Sequence, residues 1–230
     1  QASMDPEYRK EHGWKIESGP LEYGVDVARF GMDKTVVAPR RGGHVEPLQS
    51  WAKYDTVQTA NRVLDSLSLD DWNAVLKIDD TGVGGGVTDE LRRILVEDNE
   101  QKYHYKVSPI DFGAGANNPL KFYNKRAEMY WELRQMFVDH KIALPKDQEL
   151  ANELASIQFK PFGGRDNQLI KIESKDDIKA RLGKSPDKAD ALALAFAQGG
   201  VGSWKEVPEA SNKVSRGADR PFVPSLTTRY

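Results

Sequence analysis

The sequence predicts an α/β domain. Its core is a central mixed sheet of five strands in the order β-β-β-α-β-α-β, flanked by helices, with a β-hairpin before the last helix. Three observations predict it. The first quarter holds three short β-branched or apolar runs joined by tight connections. The hydrophobic period then alternates between helix-spaced and strand-length segments. Late in the chain, "ALALAFA" (Ala191 to Ala197) is apolar on every side, as expected of a helix packed against a sheet. A chain of 230 residues is long enough to bury a sizeable core.

The elements follow in order. Glu22 to Ala28, "EYGVDVA", reads as a strand with an acid inside it. Lys34 to Ala38 is a second strand, Gly42-Gly43 a turn, and Val45 to Trp51 a third strand, which together make an antiparallel meander. Ala60, Val63, Leu64 and Leu67 recur at helical spacing. Ala74 to Ile78 is the fourth strand; Val87, Leu91, Ile94 and Leu95 mark a second helix; Tyr105 to Ile110 is the fifth strand. Asn124 to His140 forms a long amphipathic helix with Tyr130, Leu133 and Phe137 on one face. Asp147 to Ile157 is helical, Ile157 to Ile172 is a hairpin around Gly163-Gly164, and the final helix starts at Ser185. Three regions result: an N-terminal extension over 1–20, a folded domain over 21–200, and an aperiodic Gly-, Pro- and Ser-rich tail over 201–230. Gln1-Ala2-Ser3 before Met4 reads as a cloning remnant.

Composition removes several chemistries. The chain has no cysteine, so disulfides, thiolate zinc sites and cysteine nucleophiles are excluded. The four histidines, His12, His44, His104 and His140, show no ligand spacing. The 33 basic and 35 acidic residues leave a net charge of −2, too little for a purely electrostatic nucleic-acid glove, although an acidic pocket can offset a basic rim. No apolar run reaches the roughly 18–20 residues of a membrane span, and no signal peptide is evident, which suits a cytoplasmic protein.

Two glycine-rich stretches invite a nucleotide. Gly183-Lys184-Ser185 matches the end of a phosphate-binding loop, but Ile178 stands where that loop needs its first glycine, and the preceding segment reads as helix rather than strand. Gly183 instead reads as a helix C-cap, followed by a helix with Ser185 as N-cap and Pro186 at the first helical position. "DDTGVGGGVTDELRRIL" follows a strand and opens a helix, but Val87 occupies the third glycine position of a dinucleotide fingerprint. A nucleotide-binding module using the loop Gly82 to Gly86 is therefore an alternative reading.

Each acid has a plain explanation alone. Asp26 could sit on the solvent face of an alternating strand, Asp79 and Asp80 could serve a turn, and Asp187 suits the first turn of a helix. Together they suggest more. Asp190 lies three residues after Asp187 and shares its face. Acids on the first strand, at the end of the fourth and on a late helix can converge over adjacent strands. Such a carboxylate cluster is strongly unfavourable without cations, and oxygen-only donors select hard ions, Mg²⁺ or Mn²⁺. Two such ions activate water and stabilise the leaving oxygen of a phosphodiester.

Four motifs in order, "GVDVARFGMDKTVV", "KIDDTGVGGGVTDEL", "FYNKRAEMYWELR" and "RLGKSPDKADALALAFA", resemble the nuclease domain of the large terminase subunit of tailed bacteriophages. The resemblance spans about Tyr23 to Gln198. It implies an RNase H-like (RuvC-like) fold and a metal-dependent endonuclease that cuts concatemeric viral DNA during packaging in the cytoplasm of the infected host. By position it assigns the catalytic and metal-ligating acids to Asp26, Asp79 and Asp187, with Asp33, Asp80 and Asp190 in second rank. The mechanism expected is hydrolysis with two ions: Asp26 bridges both, Asp187 serves the one that activates water, and Asp79 the one at the leaving group. The family also carries an ATPase motor with Walker motifs, which this sequence lacks, so an isolated, monomeric nuclease domain without ATPase activity is expected. In a full-length protein the partners would be that ATPase domain, the portal and the small terminase subunit. Other RNase H-like enzymes, such as resolvases or transposases, and a catalytically silent DNA-binding scaffold are the remaining alternatives.

Double-stranded DNA would be held through its phosphates, with little base preference. The candidate contacts are Arg29 and Lys34 after the first strand, Lys125 and Arg126 opening the long helix, and Lys175, Lys179, Arg181 and Lys184 before the last helix. The polar hairpin tip Gly163 to Asn167 would regulate access to the site.

Overall fold

Alternation along the first strand sets the layout of the molecule. In the computed structural model, which describes residues 21–28, 33–68, 74–98, 104–164 and 168–198, β1 (Leu21–Asp26) buries Tyr23 and Val25 in one hydrophobic cluster. Successive side chains on a strand point to opposite faces, so Glu22, Gly24 and Asp26 face the other way. β5 (Ala74–Asp79) repeats the pattern, with Leu76 and Ile78 in the same cluster as Tyr23 and Val25 and Lys77 and Asp79 on the opposite side.

The sheet order is β3-β2-β1-β5-β6, where β2 is Thr35–Arg41, β3 is His44–Val45 and β6 is Tyr105–Ile110. β1 pairs antiparallel with β2 and parallel with β5, and β5 pairs parallel with β6, so the sheet is mixed as expected. It has six strands rather than five. The predicted third strand is divided into β3 and a separate β4 (Gln49–Trp51), both antiparallel to β2. The register runs Arg40↔Val45 on one side of the break and Val37↔Gln49 on the other, a slip of one residue. Pro47 lies in the break and has no N–H for a regular ladder.

Helices α1 (Thr56–Asp65) and α2 (Val83–Glu97) cover the Tyr23 face, placing Ala60, Val63, Leu64, Val87 and Leu91 against it. A reciprocal capping box between Asp55 and Gln58 starts α1. The opposite face carries the larger cluster, built by α3 (Lys125–Val138), α4 (Gln148–Ser156) and α6 (Asp187–Phe196). Tyr130 and Leu133 of α3 are buried there, and Phe137 is partly buried, as the helical spacing predicted. The hairpin β7 (Phe159–Phe162) and β8 (Leu169–Ile172) precedes α5 (Lys175–Leu182), which is closed by Gly183 in the left-handed conformation.

α6 lies directly on β1. A Cβ added at Gly24 would stand 1.9 Å from the carbonyl oxygen of Ala191 and 2.3 Å from the nitrogen of Ala195, so only glycine allows this approach. The start of α6 differs from expectation. Ser185 is not its N-cap: Pro186 occupies that position without a side-chain cap, and the helix begins at Asp187. Glu153 of α4 supplies the missing acceptor, taking a 3.0 Å hydrogen bond from the Ala189 N–H. Among the described residues no helix is long and apolar enough to cross a membrane. The extension over 1–20, the tail over 201–230, Arg29 and the hairpin-tip positions 165–167 lie outside the described residues.

Candidate active site

Three elements bring acids to one end of the sheet. β1 ends at Asp26 and β5 at Asp79, and the parallel register Val25↔Ile78 sets these residues side by side at the carboxyl ends of neighbouring strands. That end is where open α/β sheets bind ligands. α6 runs across the same face with Asp187 and Asp190 in its first turn. Asp26, Asp79 and Asp190 are buried, Asp187 is half-buried, and Asp80, just past the strand end, is exposed.

The ammonium of Lys175, at the start of α5, stands among these acids. It lies 2.9 and 3.2 Å from the two oxygens of Asp26 and 3.1 Å from Oδ2 of Asp190. Asp190 is held from behind. Its Oδ1 accepts the Tyr130 hydroxyl at 2.7 Å and the Arg126 guanidinium at 2.9 and 3.3 Å. Its Oδ2 is buried and accepts no hydrogen bond, the Lys175 approach having ion-pair distance without hydrogen-bond alignment. Asp79 accepts the hydroxyl and, at 3.1 Å, the N–H of Thr81 through Oδ1. Asp187 Oδ2 accepts the Lys34 N–H at 3.0 Å, which ties α6 to the start of β2.

The charges do not balance. Burial pushes the Asp26 carboxyl up to about 8; Lys175 opposes the rise, and Asp190 and Asp187 add to it. Burial likewise raises Asp79 and Asp187, against hydrogen bonds from Thr81 and Lys34. Burial would raise Asp190 too, but Arg126, Lys175 and the Tyr130 hydrogen bond outweigh it and hold the group ionised. Burial works to discharge Lys175, yet Asp190 and Asp26 keep it firmly protonated. Asp26 is thus the acid that keeps a proton when no further cation is present.

The donor set fits a hard divalent cation: all oxygen, buried, short of positive charge, with one carboxylate oxygen lacking a hydrogen bond. Among the described residues no three acids or histidines form a ready-made cage, and the Lys175 ammonium stands between Asp26 and Asp190. Asp33 is not part of the cluster and pairs with Lys179 at 2.8 Å.

Most of the cations expected at DNA phosphates are engaged within the protein. Lys125 and Arg126 are a correction: both are buried and turned inward. Lys125 pairs with Glu128 at 3.1 Å, and Arg126 binds Asp190 and, at 2.9 Å, the Glu173 carbonyl. The Arg126 partners lie far away in sequence, so nothing local names them, whereas the Lys125 partner Glu128 is one helical turn along α3. Arg181 pairs with Glu173, and Lys184 pairs with Glu149 at 2.7 Å and Glu153 at 3.3 Å. Lys34 is exposed.

Sequence reasoning missed the residues behind the acids. Tyr130 is one; Arg126 and Tyr130 at i and i+4 share a helix face, but nothing local names Asp190 as their target. Lys77 and Glu22 are others. Lys77 is 2.8 Å from Glu22 and donates to the Ala195 carbonyl at 3.0 Å; Arg40 pairs with Glu22 and reaches the same carbonyl at 2.7 Å. Two cations therefore meet the C-terminal end of α6 while acids meet its N-terminal end, both matching the helix dipole. Burial and Arg40 push Lys77 down to about 7, and the Glu22 ion pair works against that shift. The period-2 pattern of "AVLKID" could have placed Lys77 on the Asp79 face. Within the glycine loop, packing accounts for Gly84. A Cβ at Gly84 would come within 1.7 Å of the Asp79 carbonyl oxygen, so α2 is seated against the strand end that carries Asp79.

No family model matches the sequence, and no curated protein matches it. Solved structures do. The nuclease domain of the large terminase subunit gp2 of bacterial virus Sf6 superposes with a TM-score of 0.63 at 21% identity, covering 85% of this chain and 94% of that one. A lysine-to-alanine variant of the same domain, solved with manganese and beta-thujaplicinol, gives 0.62 at 22% identity and the same coverage. The large terminase nuclease from thermophilic phage G20c gives 0.51 at 17% identity, covering 78% and 82%. The chain thus has the RNase H-like fold of large terminase nuclease domains, as its motifs implied.

Proposed function

We propose that this chain is a divalent-metal-dependent endodeoxyribonuclease that cleaves concatemeric phage DNA during genome packaging. The meeting of Asp26 and Asp190 on the Lys175 ammonium, with Asp79 beside Asp26 at the carboxyl ends of the parallel strands, carries the reading. The likeness in fold to terminase nucleases supports it. Asp26, Asp79 and Asp190, with Asp187 at the rim, would hold Mg²⁺ or Mn²⁺, as one ion or two. Bound there, such ions lower the pKa of water and stabilise the leaving oxygen of a phosphodiester.

The protein's own residues set the conditions. Lys175 lies against Asp26 and Asp190 in the metal-free state and would have to give way for a metal to reach their oxygens, and Asp26 would give up its proton on binding one. Thr81 orients Asp79, and the Lys34 N–H orients Asp187. Lys34 is an exposed cation that would meet a phosphate beside the site, and Lys179 and Lys184 would do so by leaving Asp33 and Glu149. The substrate is double-stranded DNA. In a full-length protein an ATPase domain, the portal and the small terminase subunit would bring it to this site in the host cytoplasm.

Plasmid DNA tests the reading. The purified protein should nick and linearise plasmid with Mn²⁺ and stop with EDTA, and Asp26→Asn should lose at least about 100-fold in rate. Cleavage by Asp26→Asn at the wild-type rate, or cleavage that survives EDTA, would overturn it.

A further inference from the structure

Asp190 is gripped by one of its two oxygens. The Tyr130 hydroxyl at 2.7 Å and the Arg126 guanidinium at 2.9 Å both engage Oδ1, while Oδ2 is buried, accepts no hydrogen bond and faces a cation 3.1 Å away. A free carboxylate flips its oxygens readily. Two donors on one oxygen, from residues one helical turn apart on α3, fix the group against rotation. The second oxygen is left with no interaction but the one toward the cation position. Arg126 is itself held by the Glu173 carbonyl and lies over the rings of Phe112 and Tyr130, so its guanidinium has little freedom to follow a moving carboxylate.

We propose that Tyr130 and Arg126 are positioning residues of the metal centre, which hold Asp190 by Oδ1 so that Oδ2 is presented to the divalent cation. This rests on the metal-dependent reading above. Partners of this kind behind a ligand typically change metal affinity by about 10–100-fold when removed. Neither residue touches the reacting atoms, so removal should act on metal affinity and leave turnover at saturating metal largely intact.

The test compares wild type, Tyr130→Phe and Tyr105→Phe. Tyr105 is a buried tyrosine of the opposite cluster, whose hydroxyl donates to the Leu91 carbonyl. It therefore controls for the loss of a buried hydroxyl as such. Mn²⁺ affinity is measured by electron paramagnetic resonance of the free ion, together with metal-free melting temperature and the Mn²⁺ dependence of plasmid nicking. Tyr130→Phe should weaken Mn²⁺ binding about 10–100-fold and raise the Mn²⁺ half-saturation of nicking by the same factor, with turnover at saturation within about threefold of wild type. Tyr105→Phe should keep wild-type affinity. Arg126→Lys, which retains charge without the fork, should also weaken binding if it folds. Wild-type Mn²⁺ affinity in Tyr130→Phe, or equal weakening in Tyr105→Phe, overturns the positioning role and leaves the nuclease reading standing. No Mn²⁺ binding by the wild type overturns both.

Discussion

Lys175→Met removes the ammonium that lies 2.9 and 3.2 Å from Asp26 and 3.1 Å from Asp190 and leaves a side chain of similar length. Taking one partner from a fully buried ion pair costs about 3–5 kcal/mol. The Lys175 side chain is 34% exposed, so solvent screening reduces the loss to roughly 1–3 kcal/mol. At about 2–4 °C per kcal/mol for a domain of this size, the metal-free melting temperature should fall by roughly 2–12 °C. Asp26 can limit the damage by keeping its proton, so the drop should be smaller at pH 6 than at pH 9, where the ionised form is forced on the site. Mn²⁺ should reverse the effect. In the wild type it must displace an ammonium; in the variant it enters an uncompensated pair of acids. At a hundredfold excess over its dissociation constant it stabilises by about 2.7 kcal/mol, and the variant should gain more than the wild type at equal Mn²⁺. Differential scanning fluorimetry in EDTA and in Mn²⁺, at both pH values, reads all of this. Equal melting temperatures for the two proteins in EDTA at pH 9, or identical Mn²⁺ shifts, would refute the counter-cation role.

Two further outcomes follow from the same geometry. Gly24→Ala puts a methyl 1.9 Å from the Ala191 oxygen, where 3.4 Å is ordinary contact, so α6 must lift from β1 by more than an ångström. Overpacking of this kind costs about 1–3 kcal/mol or more, and urea unfolding should show it together with lost cleavage, since Asp26 and Asp190 part; an unchanged midpoint would contradict the close packing. Asp26 also gives the site a pH signature. Its folded pKa is raised to about 8 against about 3.9 unfolded, so its contribution to metal-free stability is complete below pH ~3.9 and is lost as pH rises through 8. Mn²⁺ affinity should run the other way, rising up to about tenfold per pH unit until pH 8 and then levelling as the released proton is no longer there to displace. Calorimetric titrations from pH 6 to 9 check this, and a flat profile would place the proton elsewhere.

The layers of the fold were legible along the chain, and so were the candidate acids. Hydrophobic periods of 2 and 3.6 are local, so they marked the strands, the helices and the faces they bury, and the motifs pointed to Asp26, Asp79 and Asp187 as candidate acids, with Asp190 in second rank. Gly183 could be recognised as a helix end because the left-handed conformation is a local requirement. What each charge faces became visible in the folded molecule alone. The slip in β2 pairing around Pro47 depends on a partner strand. The cap of α6 comes from Glu153 on another helix rather than from Ser185 beside it. Lys125 and Arg126 looked like surface cations because charge is usually solvated, yet the fold buries them against Glu128 and Asp190. Lys175 sits among Asp26 and Asp190, which are distant or on another helix in the chain. Electrostatic partners are chosen by distance in space, which folding sets, whereas periodicity is written along the chain.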